Sequence, residues 1–364
     1  MPLLYAEFSS PLDEAPTMTD RKHLDSHPVP PVDERSLYDM SLGLFGYQAA
    51  VVAFDLGLFG FLAEGPADTV EVAERFGMER QSADAMLLVC LSLGLLERDG
   101  RALRLSEVGR TYLAPDSRSY FGGYLHNVMV AQPEVTSFAS IKETLLGKRR
   151  LADKGETLFQ ENAQDAERAR AFTRSMHGHS IAPALAWPLH IDLSDLGHMI
   201  DVGGGSGAHA IGAALRWPEL SAEVMELPSV TPVVAEYVED YGLSDRISAT
   251  PGNFWSDPLP AGVLHFFGDI FHDWSDEKSL TLMAKSFSAL PPGGRLVIHE
   301  VLFNDEKTGP FQAAASSIAM LVWTEGRQRS GPEYRTMLEH CGFGAVSVTP
   351  TFGYWSIVVA EKPG

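Results

Sequence analysis

Between Met199 and Arg216 the chain passes from a short apolar strand, Met199-Ile-Asp-Val202, through Gly203-Gly-Gly-Ser-Gly207, into a helical run from Ala208 to Leu215 that stops at Trp217-Pro218. Glycine has no Cβ and takes positive φ, so the backbone here can turn tightly and let a ligand lie directly against it. A strand delivered into a helix through such a turn is half of a βαβ unit. Further apolar strands are expected at Ala222–Glu226, Val263–Phe267 and Arg295–Glu300, each followed by a helix. The pattern predicts a doubly wound α/β sheet with ligand space outside the carboxyl ends of its strands. Near the end, Gly344–Thr349 and Tyr354–Ala360, separated by Pro350 to Gly353, read as an antiparallel hairpin on the edge of that sheet.

The first part of the chain has a different rhythm. Residues 1–35 are dotted with prolines and carry acids where a signal peptide is basic, and they read as a flexible arm. Leu37 to Leu62 is an apolar helix pair broken near Gly57. Thr69 is the expected N-cap of a short helix stopped by Gly77, and Ser82 opens a third helix that runs to Leu93 and ends at Gly94. Asp99-Gly100 centres a hairpin within Leu95–Leu105, and Ser106–Leu113 follows. Helices and a small hairpin in this order predict a mainly helical winged-helix domain over 36–150, leaving 151–364 for the sheet.

A winged helix raises the alternative of a DNA-binding regulator. Ala83–Leu93, however, holds neither Lys nor Arg, and 48 acidic against 28 basic residues give a formal charge of −20, which opposes the phosphate neutralisation that nucleic acids require. The apolar stretches Met40–Phe54 and Ala83–Leu93 are expected instead at a subunit interface, which makes a homodimer with no nucleic-acid partner. Met40–Phe54 is too short to cross about 30 Å of hydrocarbon, so no membrane span is expected. Two cysteines, Cys90 and Cys341, supply neither a zinc spacing nor a disulfide framework, and the expected home is the cytoplasm. No histidine pair with a carboxylate has metal-ligand spacing, so no metal is expected.

The glycine turn calls for an acidic partner, and Glu226 at the end of the next predicted strand supplies one: a carboxylate there can accept both hydroxyls of a ribose. Asp201, inside the strand end, would repel a pyrophosphate and suits a cationic nucleoside. S-adenosylmethionine, with its sulfonium and ammonium, fits that field.

With these residues in view, the chain resembles the class I S-adenosylmethionine-dependent O-methyltransferases of the caffeate, acetylserotonin and hydroxyneurosporene type. The resemblance covers about residues 36 to 362 and is carried by Asp201-Val-Gly-Gly-Gly-Ser-Gly207, Glu226-Leu-Pro228, Pro251-Gly-Asn-Phe254, His272-Asp-Trp-Ser-Asp276, Pro292-Gly-Gly-Arg295 and Glu300. It implies a Rossmann-like methyltransferase sheet and a winged-helix dimerisation domain that helps wall the acceptor pocket. By the same resemblance the cofactor contacts fall on Asp201, Gly203, Gly205, Glu226, Leu227, Asn253, Phe254 and Ser180. The general base falls on His272 and its supporting acid on Glu300. The acceptor pocket draws on Tyr124, Met129, Phe172, Met176, Met320, Trp323 and Gln328. One position departs from the pattern: Gln328, in Gly326-Arg-Gln-Arg329, stands where a second acid is common.

The expected activity is methyl transfer to the hydroxyl of a small molecule, with a histidine as base. An alternative is S-methylation of a small methylthio acid, as in dimethylsulfoniopropionate biosynthesis. A thioether carries no proton, so Gln328 would be harmless there, and Arg174, His177, His179 and Arg327 could hold the acceptor's carboxylate. A third possibility keeps fold and cofactor for a reaction without transfer.

Overall fold

The computed structural model describes residues 31–148, 159 and 164–364, so the expected arm lies, up to residue 30, outside the described residues. The described chain divides within its first helix, α1 (Arg35–Asp55), into a unit ending at Gln48 and a unit spanning Ala49–Gly364. The first unit is the leading part of α1. It leaves Leu37, Met40, Leu42, Leu44, Phe45 and Tyr47 exposed, Met40 and Phe45 by 73% and 72%.

In the second unit, α2 (Leu58–Glu64), α3 (Thr69–Phe76) and α4 (Arg80–Ser92) precede an antiparallel pair, β1 (Leu96–Asp99) and β2 (Ala102–Leu105), along whose edge Ala67 bridges Leu103. Their core is Leu58, Phe59, Leu62, Val72, Leu87 and Leu103. Gly57, at φ 83°, breaks α1 from α2 as expected.

Two helix starts differ from the sequence expectation. Asp68, not Thr69, caps α3: its carboxylate accepts the N–H groups of Val70 and Glu71, and the Glu71 carboxylate accepts the N–H of Asp68. A charged acceptor facing the positive end of the helix displaces the hydroxyl one residue on. α4 starts at Arg80, so Ser82 lies inside its first turn. α4 also buries Ala83, Met86, Leu87 and Cys90, a stripe at helical spacing, and most of its apolar surface is used inside its own domain, with Leu88 and Leu93 left exposed.

After α5 (Glu107–Tyr112), α6 (Gly122–Leu125) runs into a π-helical turn, His126–Val130, followed by α7 (Phe138–Leu145) and the long α8 (Ala166–Ala186). The sheet then begins with β3 (His198–Val202), α9 (Ala208–Arg216), β4 (Ser221–Glu226), α10 (Thr231–Asp240), β5 (Ile247–Pro251), β6 (Leu264–Gly268), α11 (Asp276–Ala289), β7 (Arg295–Val301), α12 (Phe311–Trp323), α13 (Gly331–His340), β8 (Gly344–Pro350) and β9 (Trp355–Glu361). Its order is β5-β4-β3-β6-β7-β9-β8. β3 to β7 are parallel, and β9 enters antiparallel between β7 and β8.

Side chains alternate between two cores, Ile200, Val202, Phe267 and Ile298 on one face and Met199, Val224, Phe266 and Val297 on the other, as a parallel sheet covered on both sides requires. The strand order reverses between β3 and β6, the position where doubly wound sheets open a crevice. β5 was not foreseen: of Ile-Ser-Ala-Thr-Pro only Ile247 is buried, so this edge strand carries no apolar run.

Among the described residues no single helix is long and apolar enough to cross a membrane. α1 and α2 together pass that test by length and composition, and they are bent by 58°.

Candidate active site

The glycine turn lies at the carboxyl end of β3, on the reversal side of the sheet. Gly203, Gly205 and Gly207 have φ of 68°, 59° and 77°, three left-handed residues within five, a path closed to side chains with a Cβ. At Gly204 the constraint is steric: a Cβ would stand 2.5 Å from the Asp201 carboxylate carbon. Asp201 is wholly buried beneath the loop, and Oδ2 accepts the N–H of Ala210 at 3.3 Å. Burial pushes its pKa up to about 7. Asp201 therefore supports the turn from below through Ala210, while its Oδ1 has no hydrogen-bond partner among the described residues.

Glu226 ends β4 beside the turn. Its oxygens accept the N–H of Gly205 at 3.2 Å and that of Leu227 at 2.5 Å, tying the glycine loop to the neighbouring strand. Burial pushes this carboxyl up to about 7 as well, against the lowering effect of the two N–H groups. Phe254 lies over the other side of the loop, where a Cβ on Gly203 would meet Ile270 Cδ1 at 2.7 Å and Phe254 Cε1 at 3.2 Å. Lys285 holds the Phe254 carbonyl at 2.6 Å, and the Asn253 side-chain oxygen accepts the Trp255 N–H at 2.9 Å, which fixes the turn carrying both residues. Above Gly205 a Cβ would meet nothing within 4 Å. A bare loop, an acid at the next strand end and an aromatic wall fit a nucleoside with a cationic tail.

His272 sits on the 3₁₀ turn Phe271–Asp273 that follows β6. Around its ring, Gln328 Nε2 lies 3.0 Å and Asp269 Oδ1 3.6 Å from Nδ1, while Asp273 Oδ1 stands 3.8 Å from Nε2. Burial alone would lower the imidazole pKa, but Asp269, Asp273 and Glu300 outweigh both burial and the repulsion of Arg329, and the net shift is upward.

Glu300, expected as the supporting acid, does not touch the ring. Oε1 accepts the backbone N–H of His272 at 3.1 Å, and Oε2 accepts the Tyr334 hydroxyl. Glu300 therefore anchors the turn, and its burial from solvent raises its pKa. Arg329, fully buried, donates to the carbonyls of Phe271 and Trp274 at 2.7 and 2.9 Å and pairs with Asp276 at 2.8 Å. A Cβ on Gly326 would stand 2.0 Å from the His272 carbonyl oxygen, so the loop bearing Gln328 packs directly on the backbone of His272.

Tyr124 of α6 stacks on His179 of α8 with ring centres 4.6 Å apart, and His179 Nε2 lies 3.3 Å from Asp269 Oδ2. Phe172, Met176 and Ser180 follow at helical spacing on the His179 face of α8, all half-buried. Met129, Met320 and Trp323 are likewise half-buried, on the π-helical turn and α12, and no hydrogen bond or ring contact joins them to His272.

The cations considered as holders of a carboxylate are taken. Arg174 pairs with Glu236, His177 shares a 2.7 Å hydrogen bond with Ser206, His179 faces Asp269, and Arg327 bonds Asp276 and Glu333. Arg174 and His177 also line a cleft of about 1050 Å³ with Arg118, Tyr120 and Tyr237. No group of three or more His, Cys, Asp or Glu side chains among the described residues is arranged to hold a metal ion.

Asp269, Tyr334 and Arg329 were missed as site residues. An acid directly after an apolar strand next to the glycine strand was a readable sign for Asp269. Arg329 had no such sign, since two of its partners are backbone carbonyls.

A sheet with an antiparallel strand inserted beside β7, a glycine turn after β3 and an acid ending β4 defines a Rossmann-like methyltransferase. Comparison with known proteins agrees. The family model described as the O-methyltransferase domain matches residues 147–344, and the O-methyltransferase dimerisation domain matches 38–115. The chain is 36% identical over 317 residues to 3-hydroxy-5-methyl-1-naphthoate 3-O-methyltransferase of Streptomyces sahachiroi, covering 85% of this chain and 89% of that one. It is 30% identical over 344 residues to the N,N-dimethyltransferase OxyT of Streptomyces rimosus, covering 92% and 99%. The crystal structure of human N-acetylserotonin methyltransferase in complex with SAM superposes with a TM-score of 0.78 at 26% identity, covering 93% of this chain and all of that one. The chain belongs to the S-adenosylmethionine-dependent O-methyltransferase family.

Proposed function

We propose that the protein methylates a hydroxyl of a small, phenol-like acceptor, with His272 as general base, and that it works as a homodimer. The observation that carries this reading is the setting of His272 at the reversal of the sheet: Nδ1 is engaged by Gln328 and Asp269, its backbone is clamped by Glu300, and Nε2 faces Asp273 Oδ1 at 3.8 Å, beyond hydrogen-bond length. S-adenosylmethionine, when bound, supplies a methyl group already activated on a sulfonium. Gly203, Gly205, Glu226, Leu227, Asn253, Phe254 and Ser180 would hold it.

What remains for the chain is to align the acceptor and remove its proton. A phenol near pKa 10 facing an ordinary histidine near 6.5 leaves roughly 5 kcal/mol uphill. The acids around His272 raise its basicity and narrow that gap. The naphthoate relative, named for a 3-O-methylation, supports oxygen as the nucleophile. The sulfur alternative keeps its argument from Gln328, but three of the side chains it would offer a carboxylate, Arg174, His179 and Arg327, already face acids of this chain.

The test is a screen of phenols, hydroxy acids and methylthio acids with methyl-labelled S-adenosylmethionine. The product should carry the label on oxygen with one S-adenosylhomocysteine released per methyl. His272→Ala should lower turnover by about 10² to 10⁴ while leaving S-adenosylhomocysteine affinity unchanged. A variant that keeps most of its turnover on the true acceptor would overturn the hydroxyl reading and favour sulfur.

A further inference from the structure

Asp269 follows β6 with its backbone in the left-handed region, φ 53°, a conformation uncommon outside glycine that persists only where surrounding contacts hold it. Its N–H donates to the carbonyl of His299 on β7, which fixes where the side chain leaves the sheet. The carboxylate is nearly buried, at 11% exposure, and lies between two imidazoles: Oδ1 is 3.6 Å from Nδ1 of His272 and Oδ2 is 3.3 Å from Nε2 of His179. Among the described residues it is the carboxylate that reaches the Nδ1 side of His272; Asp273 stands on the Nε2 side, and Glu300 is committed to the backbone N–H and Tyr334.

We propose that Asp269 is the positioning residue of the base: it holds His272 in the tautomer with the proton on Nδ1, leaves the Nε2 lone pair for the acceptor, and stabilises the imidazolium formed in turnover. This rests on the hydroxyl-transfer reading above. As the acceptor oxygen bonds the methyl carbon, its proton passes to Nε2, the electrons of the broken sulfur–carbon bond stay on sulfur, and the positive charge moves onto the ring beside Asp269.

Gln328 fits this tautomer once its side-chain amide is turned, since as placed its NH2 donates to Nδ1. Its buried Oε1 has no hydrogen-bond partner while its Nε2 faces Nδ1, and the same amide turned by 180° brings the oxygen to Nδ1–H. A neutral amide can orient the ring in this way but cannot balance the charge of an imidazolium in a buried site, and a carboxylate can. The charged and titratable groups facing His272 are Asp269 and Asp273 on its own segment, Glu300 from β7 and Arg329 from the loop before α13, while His179 reaches Asp269 from α8.

The decisive variant is Asp269→Asn, since asparagine tolerates the left-handed backbone and keeps the shape. The His272 titration, followed by NMR of ¹³Cε1-histidine protein without cofactor, should move to lower pH. The acid limb of the pH–rate profile should move the same way, and kcat should fall about 10- to 100-fold with little change in acceptor KM. In the double variant D269N/Q328E, a carboxylate returned to Nδ1 from the other side should restore both the titration and much of the rate. If Asp269→Asn does not fold, Asp269→Gly, free of the left-handed strain, gives the same readings.

An unmoved His272 titration in a folded variant would overturn the proposal. So would a loss of S-adenosylmethionine affinity as the sole defect, which would assign Asp269 to the donor. Failure of the hydroxyl-transfer reading shows separately, as an active His272→Ala enzyme.

Discussion

In the proposed donor site Glu226 accepts both ribose hydroxyls best as a carboxylate, and burial holds its ionisation up at about 7. Affinity for S-adenosylhomocysteine is therefore expected to weaken as pH falls below 7, approaching about tenfold per unit, because binding must release a proton. Calorimetry at pH 6, 7 and 8 measures this directly. Glu226→Gln should flatten the dependence and weaken binding by about 1–3 kcal/mol. The folded-state pKa lies above the ordinary carboxylate value, so the fold favours the protonated form. Its stabilising contribution is full below about pH 4 and is lost as pH rises through 7, and Asp201 adds to the same trend. At this scale the sequence showed residue types better than directions. Glu226, Gly203 and His272 could be found because motifs place them at strand ends. Asp201 could not be assigned to the underside of the loop, nor Glu300 to a backbone N–H, because neighbours distant in the chain set where a carboxylate points.

Elements with an apolar rhythm were legible, and those without one were not. β3, β4, β6, β7 and the final antiparallel pair fall close to where runs of branched and aromatic residues put them. β5 escaped because an edge strand buries one side chain in five. The boundary of α3 depended on which of two adjacent acceptors wins the cap, and that can be measured. Asp68→Ala removes the acceptor for Val70 and Glu71 and leaves the Glu71 carboxylate with half of its reciprocal pair, so the melting temperature should drop by a few degrees. Thr69→Ala, at a position with no capping contact, should leave it nearly unchanged. Equal drops in calorimetry would return the cap to Thr69.

The exposed apolar face of α1 belongs to the whole molecule. With a formal charge of −20 and Met40 and Phe45 more than two-thirds exposed, this apolar face calls for a cover from outside, and the match of 38–115 to a dimerisation domain makes a second copy the expected one. Light scattering at micromolar concentration should give twice the chain mass, and Leu42→Glu with Phe45→Glu should shift it to a monomer. A fully active wild-type monomer would contradict this. The His272 turn and the glycine loop, meanwhile, draw on different parts of the chain. Most of the nucleoside cradle, from Asp201 to Phe254, lies in one stretch of the chain, with Ile270 and Lys285 packed against it from further on, whereas the His272 turn is fastened by Gln328, Arg329 and Tyr334, far downstream. During synthesis the glycine loop and Glu226 therefore emerge well before Gln328, Arg329 and Tyr334, so the growing polypeptide has most of the donor's seat in hand while the His272 turn still lacks its fasteners.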